Sequence, residues 1–258
     1  MTADRSLSRL GFPVIVAHRG ASSTRPENTL ASFEEAIALG AQVLELDVRL
    51  SRDGVPVVMH DAVVDRTTDG TGFVHELTAD QITSLNAAPD STVPTFAEVL
   101  EATSERAALA VEIKNIPGDP AFDPVGEPIV DAVHAELGRV RFDGVVLVIS
   151  FNPASIEASK SIAPGVPTGF LTTDLVDPRE ALGYAVSKGH DMVLPGTRAA
   201  IPAGASFPDE VHAAGLRVGT WTVDDAGTVR MLFERGFDAV ASNDPAMALG
   251  VLGERARR

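Results

Sequence analysis

The stretch VLELDV, residues 43–48, places two carboxylates, Glu45 and Asp47, in an otherwise apolar run. Burying an unpaired charge is expensive, so strand interiors seldom contain ionisable groups. Because side chains alternate along a strand, Glu45 and Asp47 share one face. The stretch ALAVEIK, residues 108–114, repeats the pattern with one carboxylate and one cation. Both stretches therefore predict buried strands whose polar side chains form a site.

Two histidines follow apolar runs of the same kind. His18 comes after residues 14–17 and precedes Arg19, and His60 comes after residues 55–59. In both runs the polar residues stand late. The carboxyl ends of parallel strands meet at one face of a sheet, where the active sites of such folds lie. We therefore expect the histidines, carboxylates and cations to gather there as a metal and phosphate site.

Strand-like runs alternate with helical patterns along the whole chain. The eight main runs are residues 14–17, 43–48, 108–113, 145–150, 168–171, 192–194, 218–221 and 239–241. Helical segments separate most of them, at residues 29–39, 128–137, 153–162, 178–188, 208–214, 225–235 and 245–252. This alternation indicates a buried parallel sheet, and eight units predict the α/β class with a (β/α)8 TIM-type barrel. An open doubly wound sheet is the weaker alternative, because no Gly-rich nucleotide loop follows the first strand.

The alternation breaks between residues 61 and 94, after the second strand. This part contains the turn-rich sequence RTTDGTG at residues 66–72 and a short polar helical pattern near residues 78–85. We interpret it as a small insertion that packs over the barrel mouth. We find no internal repeat or linker, so residues 1–258 are interpreted as a single domain.

Composition narrows the class of protein. A chain of 258 residues with 45% hydrophobic and 22% charged residues is typical of one soluble globular domain. It contains no apolar stretch of about 18 residues, which predicts no transmembrane helix. Residues 1–12 lack the apolar core of a signal peptide, and Cys is absent, which excludes disulfides and thiolate ligands. We expect a cytoplasmic location.

The formal net charge of −15 limits the possible partners. A chain this acidic does not attract nucleic acid or an anionic membrane through its general field. The basic segment at residues 255–258 is too short to give stable membrane association. An anionic small-molecule substrate would need a local positive site, which a metal ion and a few cationic side chains can supply.

Seven short motifs occur in one order along the chain. They are HRG at 18–20, PENT at 26–29, ELDV at 45–48, HD at 60–61, RTTDG at 66–70, EIK at 112–114 and WTV at 221–223. With these motifs the chain resembles the glycerophosphodiester phosphodiesterase family over nearly its whole length. The resemblance implies a (β/α)8 barrel with a small insertion after the second strand. It also implies hydrolysis of glycerophosphodiesters to glycerol 3-phosphate and an alcohol with a divalent cation.

The resemblance assigns the metal to Glu45, Asp47 and Glu112. Carboxylate oxygens are hard ligands that suit Mg²⁺ or Ca²⁺. The alternative is that these carboxylates form ion pairs with Arg19, Arg49 or Lys114. The three carboxylates with Arg19 and Lys114 carry a formal charge of about −1, which a divalent ion would reverse.

The resemblance assigns acid–base catalysis to His18 and His60. An imidazole titrates near neutral pH, so one ring can accept a proton while the other donates one. By family analogy the nucleophile is the neighbouring glycerol hydroxyl, which gives a cyclic phosphate that water opens. The sequence does not distinguish the acid from the base. The other four histidines are expected at the surface: His75, His134, His190 and His212.

The remaining candidates contact the substrate or support the site. Arg19 and Lys114 are expected to bind the nonbridging phosphate oxygens, although Arg19 alternatively supports Glu45. Trp221 and Phe151 are candidates for an apolar wall beside the glycerol carbons, with plain core packing as the alternative.

Three polar neighbours complete the sequence predictions. Asn28 is expected to cap the first helix, and Asp61 to be a structural neighbour of His60. Asp224 stands where many members of the family carry a different polar residue. The resemblance therefore does not specify which alcohol group the substrate carries.

The sequence therefore predicts a metal-dependent phosphodiesterase with a small-molecule substrate. The nearer alternative is a lysophospholipase D or another phosphodiesterase on the same fold. The more distant one is a noncatalytic barrel that binds phosphorylated ligands, which would not need both histidines. The head group, the preferred metal and the oligomeric state are not specified by the sequence.

Overall fold

A computed structural model describes residues 6–255 of the chain. Both ends of the predicted domain, and most of the basic segment at residues 255–258, lie outside the described residues. The strands are β1 (Val14–His18), β2 (Val43–Leu50), β3 (Pro56–Val58), β4 (Asn86–Ala88), β5 (Ser91–Thr92), β6 (Ala108–Ile113), β7 (Val146–Ser150), β8 (Thr168–Thr172), β9 (Met192–Pro195), β10 (Arg217–Thr220) and β11 (Ala239–Ser242).

Eight of these strands close into a parallel barrel. Neighbours pair in the order β1, β2, β6, β7, β8, β9, β10 and β11, and β11 pairs with β1. At the closure, Val14 lies opposite Ala239 and Val16 lies opposite Val43. The predicted α/β class and TIM-type barrel are therefore confirmed, and each predicted strand overlaps one barrel strand.

Helices connect most of the barrel strands. They are α1 (Leu30–Leu39), α2 (Ala79–Thr83), α3 (Phe96–Thr103), α4 (Pro128–Arg139), α5 (Pro153–Ile162), α6 (Pro178–Lys188), α7 (Thr197–Ala200), α8 (Phe207–Ala213), α9 (Ala226–Glu234) and α10 (Pro245–Arg255). Four of the longer ones begin with Pro, which suits the first turn because its missing N–H needs no partner there. Within residues 6–255 no helix is long and apolar enough to cross a bilayer.

Two elements near the insertion differ from the sequence prediction. α3 was not predicted, although Thr95 and Glu98 form a capping box and Phe96, Val99 and Leu100 provide its buried face. The apolar run that leads to His60 forms β3, which pairs antiparallel with β2 but is not one of the eight barrel strands. The chain therefore turns after β2 and runs back along its last residues, where the Met59 backbone N–H donates to the Asp47 carbonyl at 2.9 Å and His60 follows directly.

Residues 61–94 contain two short helices and the β4–β5 hairpin. Their apolar side chains form a small cluster with β3 that includes Val57, Val64 and Ile82. This arrangement gives the segment its own buried support next to His60.

Alternation along the barrel strands separates two apolar regions. Leu44 and Leu46 of β2 face outward and pack with Phe33 of α1 in the largest cluster. Val43 of β2 belongs to a different cluster that fills the barrel interior. Glu45 and Asp47 share the inward parity of Val43, so the strand that builds the core also directs both carboxylates towards the barrel axis.

The outer cluster predicts a large cost for truncating Phe33, which is 1% exposed. Phe33→Ala is expected to lower the free energy of unfolding by about 3–5 kcal/mol, because it leaves a cavity between α1 and the barrel. Urea unfolding followed by circular dichroism measures this change. Phe73→Ala is the control, since Phe73 is 37% exposed and its truncation should cost far less. Equal losses in the two variants would contradict this description of the core.

Candidate active site

Three carboxylates meet at the carboxyl ends of β2 and β6. Asp47 lies opposite Glu112 in the pairing of these strands, and Glu45 is two residues before Asp47 on the same face. One oxygen from each of the three lies within 4.8 Å of the others. All three residues are buried. The structure thus brings together the full set of predicted metal ligands.

The electrostatics of this cluster differ among its members. Burial and the neighbouring carboxylate of Asp47 raise the pKa of Glu45 to about 8. Burial also raises the pKa of Glu112 to about 8, although Lys114 opposes the shift. For Asp47 burial acts in the same direction, but the charges of Lys114 and Arg19 hold its pKa below the ordinary value. The cluster has too little positive charge to keep all three carboxylates ionised.

The donor set fits a hard divalent cation. Glu45 Oε1 is buried and has no hydrogen-bond partner within the described residues. An unpartnered buried carboxylate oxygen is costly, and a metal ion would satisfy it. Three carboxylates without nitrogen or sulfur ligands suit Mg²⁺ or Ca²⁺.

Two cations adjoin the same carboxylates. Lys114 Nζ lies 3.0 Å from Asp47 Oδ1 and also contacts Glu112 Oε1. Arg19 Nε lies 3.2 Å from Asp47 Oδ2, and the Arg19 backbone N–H donates to Glu45 Oε2 at 2.9 Å. The ion pairs considered as an alternative to metal ligation therefore exist beside the cluster for these two cations. Both cations also line the cavity at the barrel mouth.

Arg49 does not pair with the three carboxylates. Its Nε donates to the His60 carbonyl at 2.8 Å, and its Nη1 lies 2.8 Å from Asp119 Oδ2. The alternative of an ion pair between Arg49 and the three carboxylates is therefore not found, because Arg49 reaches the loop after β6 instead. It ties the chain at His60 to that loop.

A tight turn after β1 sets the direction of Arg19. Arg19 has φ +57° and Gly20 has φ +82°. A Cβ added at Gly20 would lie 2.2 Å from Ser32 Oγ, which itself donates to the Arg19 carbonyl at 2.8 Å. Glycine is therefore required at position 20 for both conformation and space.

His18 is held through its Nδ1 atom. This atom lies 2.7 Å from Asn243 Oδ1. The amide of Asn243 is oriented, since its Nδ2 donates to Asp224 Oδ2 at 2.7 Å and Ser22 Oγ donates to its Oδ1 at 3.0 Å. Nδ1 of His18 therefore carries a hydrogen, and its Nε2 faces Glu45 Oε2 at 3.9 Å. Burial lowers the pKa of His18, and the charge of Arg19 lowers it further.

His60 is held in a similar way but by a carboxylate. Its Nδ1 lies 2.6 Å from Asp61 Oδ1, which places its neighbour in the structural role that was expected. Burial and Lys114 lower the pKa of His60, and the hydrogen bond to Asp61 acts in the opposite direction. The two rings thus differ in the charge of the partner that holds them.

Asn28 was assigned incorrectly from the sequence. The helix cap is Thr29, whose side chain accepts from the Ser32 backbone N–H. Asn28 has φ +58°, and its Nδ2 donates to Asp47 Oδ2 at 2.8 Å. Asn tolerates this left-handed conformation better than most residues, which is a signal that the PENT motif offers. Asn28 therefore supports a predicted metal ligand.

One further histidine departs from expectation. His190 is buried, with its Nδ1 2.8 Å from Thr168 Oγ1, so the surface assignment was wrong for it. His75 and His134 are half-buried and His212 is exposed. None of these four histidines lines the cavity at the barrel mouth.

A cavity of about 100 Å³ connects the polar cluster with the barrel interior. His18, Glu45, His60 and Glu112 line its polar part. Inward-facing apolar side chains of the barrel strands line the rest. Because this wall is poorly polarisable, charges at the polar end interact more strongly than they would in water.

Trp221 and Phe151 form part of the cavity wall. Their rings meet edge to face with centroids 5.2 Å apart. Trp221 Nε1 donates to the Leu194 carbonyl at 3.0 Å, which fixes the indole. Both rings also pack against the cluster inside the barrel, so the wall and core-packing interpretations describe the same arrangement.

Comparisons with known proteins show the family of the chain. A model of the glycerophosphoryl diester phosphodiesterase family matches residues 18–247. A glycerophosphodiester phosphodiesterase of Caldanaerobacter subterraneus subsp. tengcongensis is 31% identical over 252 residues, covering 93% of this chain and 97% of that protein. One of Bacillus subtilis is 30% identical over 254 residues, covering 89% of this chain and 83% of that protein.

A solved structure extends the comparison to the fold. An Oleispira antarctica phosphodiesterase in complex with the product sn-glycerol-3-phosphate has a TM-score of 0.84 with this chain. It is 27% identical in sequence, and the match covers 94% of this chain and 97% of that one. By sequence and by fold, the chain belongs to the glycerophosphoryl diester phosphodiesterase family.

Proposed function

We propose that this chain hydrolyses glycerophosphodiesters to sn-glycerol 3-phosphate and an alcohol, with the help of a divalent cation. The observation that carries the proposal is that two oriented histidines line one cavity with Glu45 and Glu112, which form a buried cluster of three carboxylates with Asp47. The product bound to the Oleispira antarctica phosphodiesterase supports this substrate class. A binding protein would not need two imidazoles held in this way.

In this proposal Glu45, Asp47 and Glu112 hold one Mg²⁺ or Ca²⁺ ion. Bound there, the ion would act as a Lewis acid, keep the three carboxylates ionised and reverse the formal charge of about −1 that they carry together with Arg19 and Lys114. At about 4 Å and an effective dielectric constant of about 20, each unit pair of charges contributes about 4 kcal/mol before desolvation. Reversing the sign of the site therefore decides whether an anionic substrate binds.

Arg19 and Lys114 are the phosphate-binding residues of the proposal. Both lie beside the carboxylates and line the cavity. Burial favours the neutral form of Lys114, but Asp47 and Glu112 raise its pKa above the ordinary value, so it remains a cation. The two side chains would stabilise the charge that builds on the nonbridging oxygens in the transition state.

We assign His18 as the general base and His60 as the general acid of the first step. His18 Nε2 would take the proton of the neighbouring glycerol hydroxyl, whose oxygen attacks phosphorus to give a cyclic phosphate. His60 would give its proton to the departing alkoxide. Burial and the charge of Arg19 favour the neutral form of His18, whose partner Asn243 is uncharged, whereas the Asp61 carboxylate stabilises the protonated form of His60. Water then opens the cyclic phosphate with the proton transfers reversed.

Trp221 and Phe151 would provide the apolar wall for the glycerol carbons. The apolar cavity is also the observation that favours the second candidate function, lysophospholipase D activity, because it could take part of an alkyl chain. We prefer small soluble diesters, since the net charge of −15 opposes approach to an anionic bilayer.

Metal removal tests the ligand assignment. Chelation should abolish turnover, and Mg²⁺ or Ca²⁺ should restore it. At 100 times the dissociation constant, bound metal should also stabilise the fold by about 2.7 kcal/mol, which raises Tm by several degrees. Glu45→Gln and Glu112→Gln should lose this thermal shift, whereas Glu35→Gln, which removes the half-buried ion-pair partner of Arg25, should keep it. Full activity in excess chelator would contradict the assignment.

Changing the leaving group tests the acid and base roles. On glycerophosphocholine, His18→Ala and His60→Ala are each expected to lower kcat by about 10²-fold or more. With a p-nitrophenyl ester of glycerol phosphate, whose leaving group needs no protonation, single-turnover release should recover in His60→Ala but not in His18→Ala. The exposed His212 supplies the control variant His212→Ala.

The same experiment has clear contrary outcomes. Recovery in His18→Ala alone would exchange the two roles. A variant with nearly wild-type kcat would remove that histidine from the mechanism. A melt that collapses together with activity would favour a structural role.

Comparing substrates tests the preference for small diesters. We expect kcat/KM to be higher for glycerophosphocholine than for lysophosphatidylcholine below its micellar concentration. The protein should also remain in the soluble fraction when floated with anionic vesicles, because like charges repel. Faster turnover of the lysolipid would establish the second candidate function instead.

A further inference from the structure

Arg66 lies in the segment 61–94, in the RTTDG motif that the proposed function leaves unused. Its side chain is 48% exposed, as for an ordinary surface arginine. However, it contacts two carboxylates that both belong to motifs of the site. Arg66 Nε donates to Asp61 Oδ2 at 2.5 Å, and Nη2 and Nη1 donate to Glu27 Oε1 and Oε2 at 2.7 and 2.9 Å.

Each of these carboxylates also holds a side chain at the barrel mouth. Asp61 Oδ1 lies 2.6 Å from His60 Nδ1. Glu27 Oε1 accepts a second bond from Arg19 Nη1 at 2.9 Å. A continuous chain of charged hydrogen bonds therefore runs from His60 through Arg66 to Arg19. It joins the segment after β3 to the turn after β1.

We infer that Arg66 is a positioning residue for the reaction, which orients His60 through Asp61 and Arg19 through Glu27. The inference rests on the proposed function, because it takes His60 as an acid–base group and Arg19 as a phosphate ligand. Arg66 itself does not line the main cavity. It acts only through the two carboxylates that it holds.

The geometry of the guanidinium explains why arginine is needed. The planar guanidinium donates from three nitrogens and so fixes two carboxylates relative to each other. The ammonium group of a lysine, a point charge on a flexible side chain, does not do this. The hydrogen bond from Arg66 is the main cause of the pKa of Asp61 falling to about 2, so this carboxylate is ionised and accepts from both sides. Misplacement of a catalytic group by about 1 Å can cost about 10²-fold in rate.

The predicted signature is a loss of rate without a loss of stability. Arg66→Gln and Arg66→Lys should each lower kcat on glycerophosphocholine, at saturating Mg²⁺, by about 10- to 100-fold. KM should change much less. Tm should fall by less than about 4 °C, because exposed ion pairs contribute little to the free energy of unfolding.

Arg179 provides a matched control. It is 46% exposed, and its Nε and Nη2 donate to Glu210 at 2.8 Å each, but it lies outside the site. Arg179→Gln should leave kcat unchanged. If Arg66→Gln changes kcat no more than Arg179→Gln does, the inference is wrong. If Arg66→Lys keeps wild-type kcat, a point charge suffices, and positioning by the planar guanidinium is also wrong.

A double-mutant cycle with His60→Ala shows whether Arg66 acts through the histidine. Adding Arg66→Gln to His60→Ala should cost several-fold less in kcat than it costs the wild type, because part of its effect is already lost. Fully additive losses would overturn the connection to His60. The parent variant separates the two failures. If His60→Ala alone keeps wild-type kcat, the acid role of His60 is wrong, and the positioning of His60 by Arg66 is wrong with it. If His60→Ala loses kcat but Arg66→Gln does not, only the inference is wrong.

Discussion

Buried negative charge at the carboxyl ends of β2 and β6 is the constraint around which the site is built. Three carboxylates with oxygens within 4.8 Å would repel one another, and burial removes the water that would screen them. Lys114 and Arg19 compensate Asp47, and Asn28 supplies a further hydrogen bond. The remaining deficit of positive charge is the reason a divalent cation suits the cluster. The barrel tolerates this charge because its core is packed from both faces of the strands.

The strict alternation of buried strands and helices made the barrel predictable from the sequence. Carboxylates at odd positions of an apolar run likewise indicated which residues would meet at one face. The supports of the site were harder to predict, because they depend on contacts that are distant in sequence. Asn243, which holds His18, is 225 residues away in sequence, and no local sequence pattern predicts that contact. Asn28 was missed because its left-handed backbone, and not a helix cap, sets its direction.

The two histidines are each held by a hydrogen-bond partner of this kind. Each ring is held at Nδ1, by an amide for His18 and by a carboxylate for His60, which leaves Nε2 for the proton transfer that we propose. β1 carries the first ring, whereas the second follows a short antiparallel extension of β2. A neutral partner for His18 and a negatively charged partner for His60 provide a physical basis for the base and acid roles that we propose. The hydrogen bonds that run from His60 through Arg66 to Arg19 would then hold these two elements in a fixed position relative to each other.

The central claim is that this site cleaves the bond between phosphorus and the alcohol of a glycerophosphodiester. Phosphorus-31 NMR tests it most directly, with the purified chain, Mg²⁺ and a mixture of glycerophosphocholine, glycerophosphoethanolamine and glycerophosphoglycerol. The account predicts that at least one diester resonance is replaced by that of sn-glycerol 3-phosphate. Persistence of all three diesters, or release of the phosphorylated alcohol with free glycerol, would contradict it.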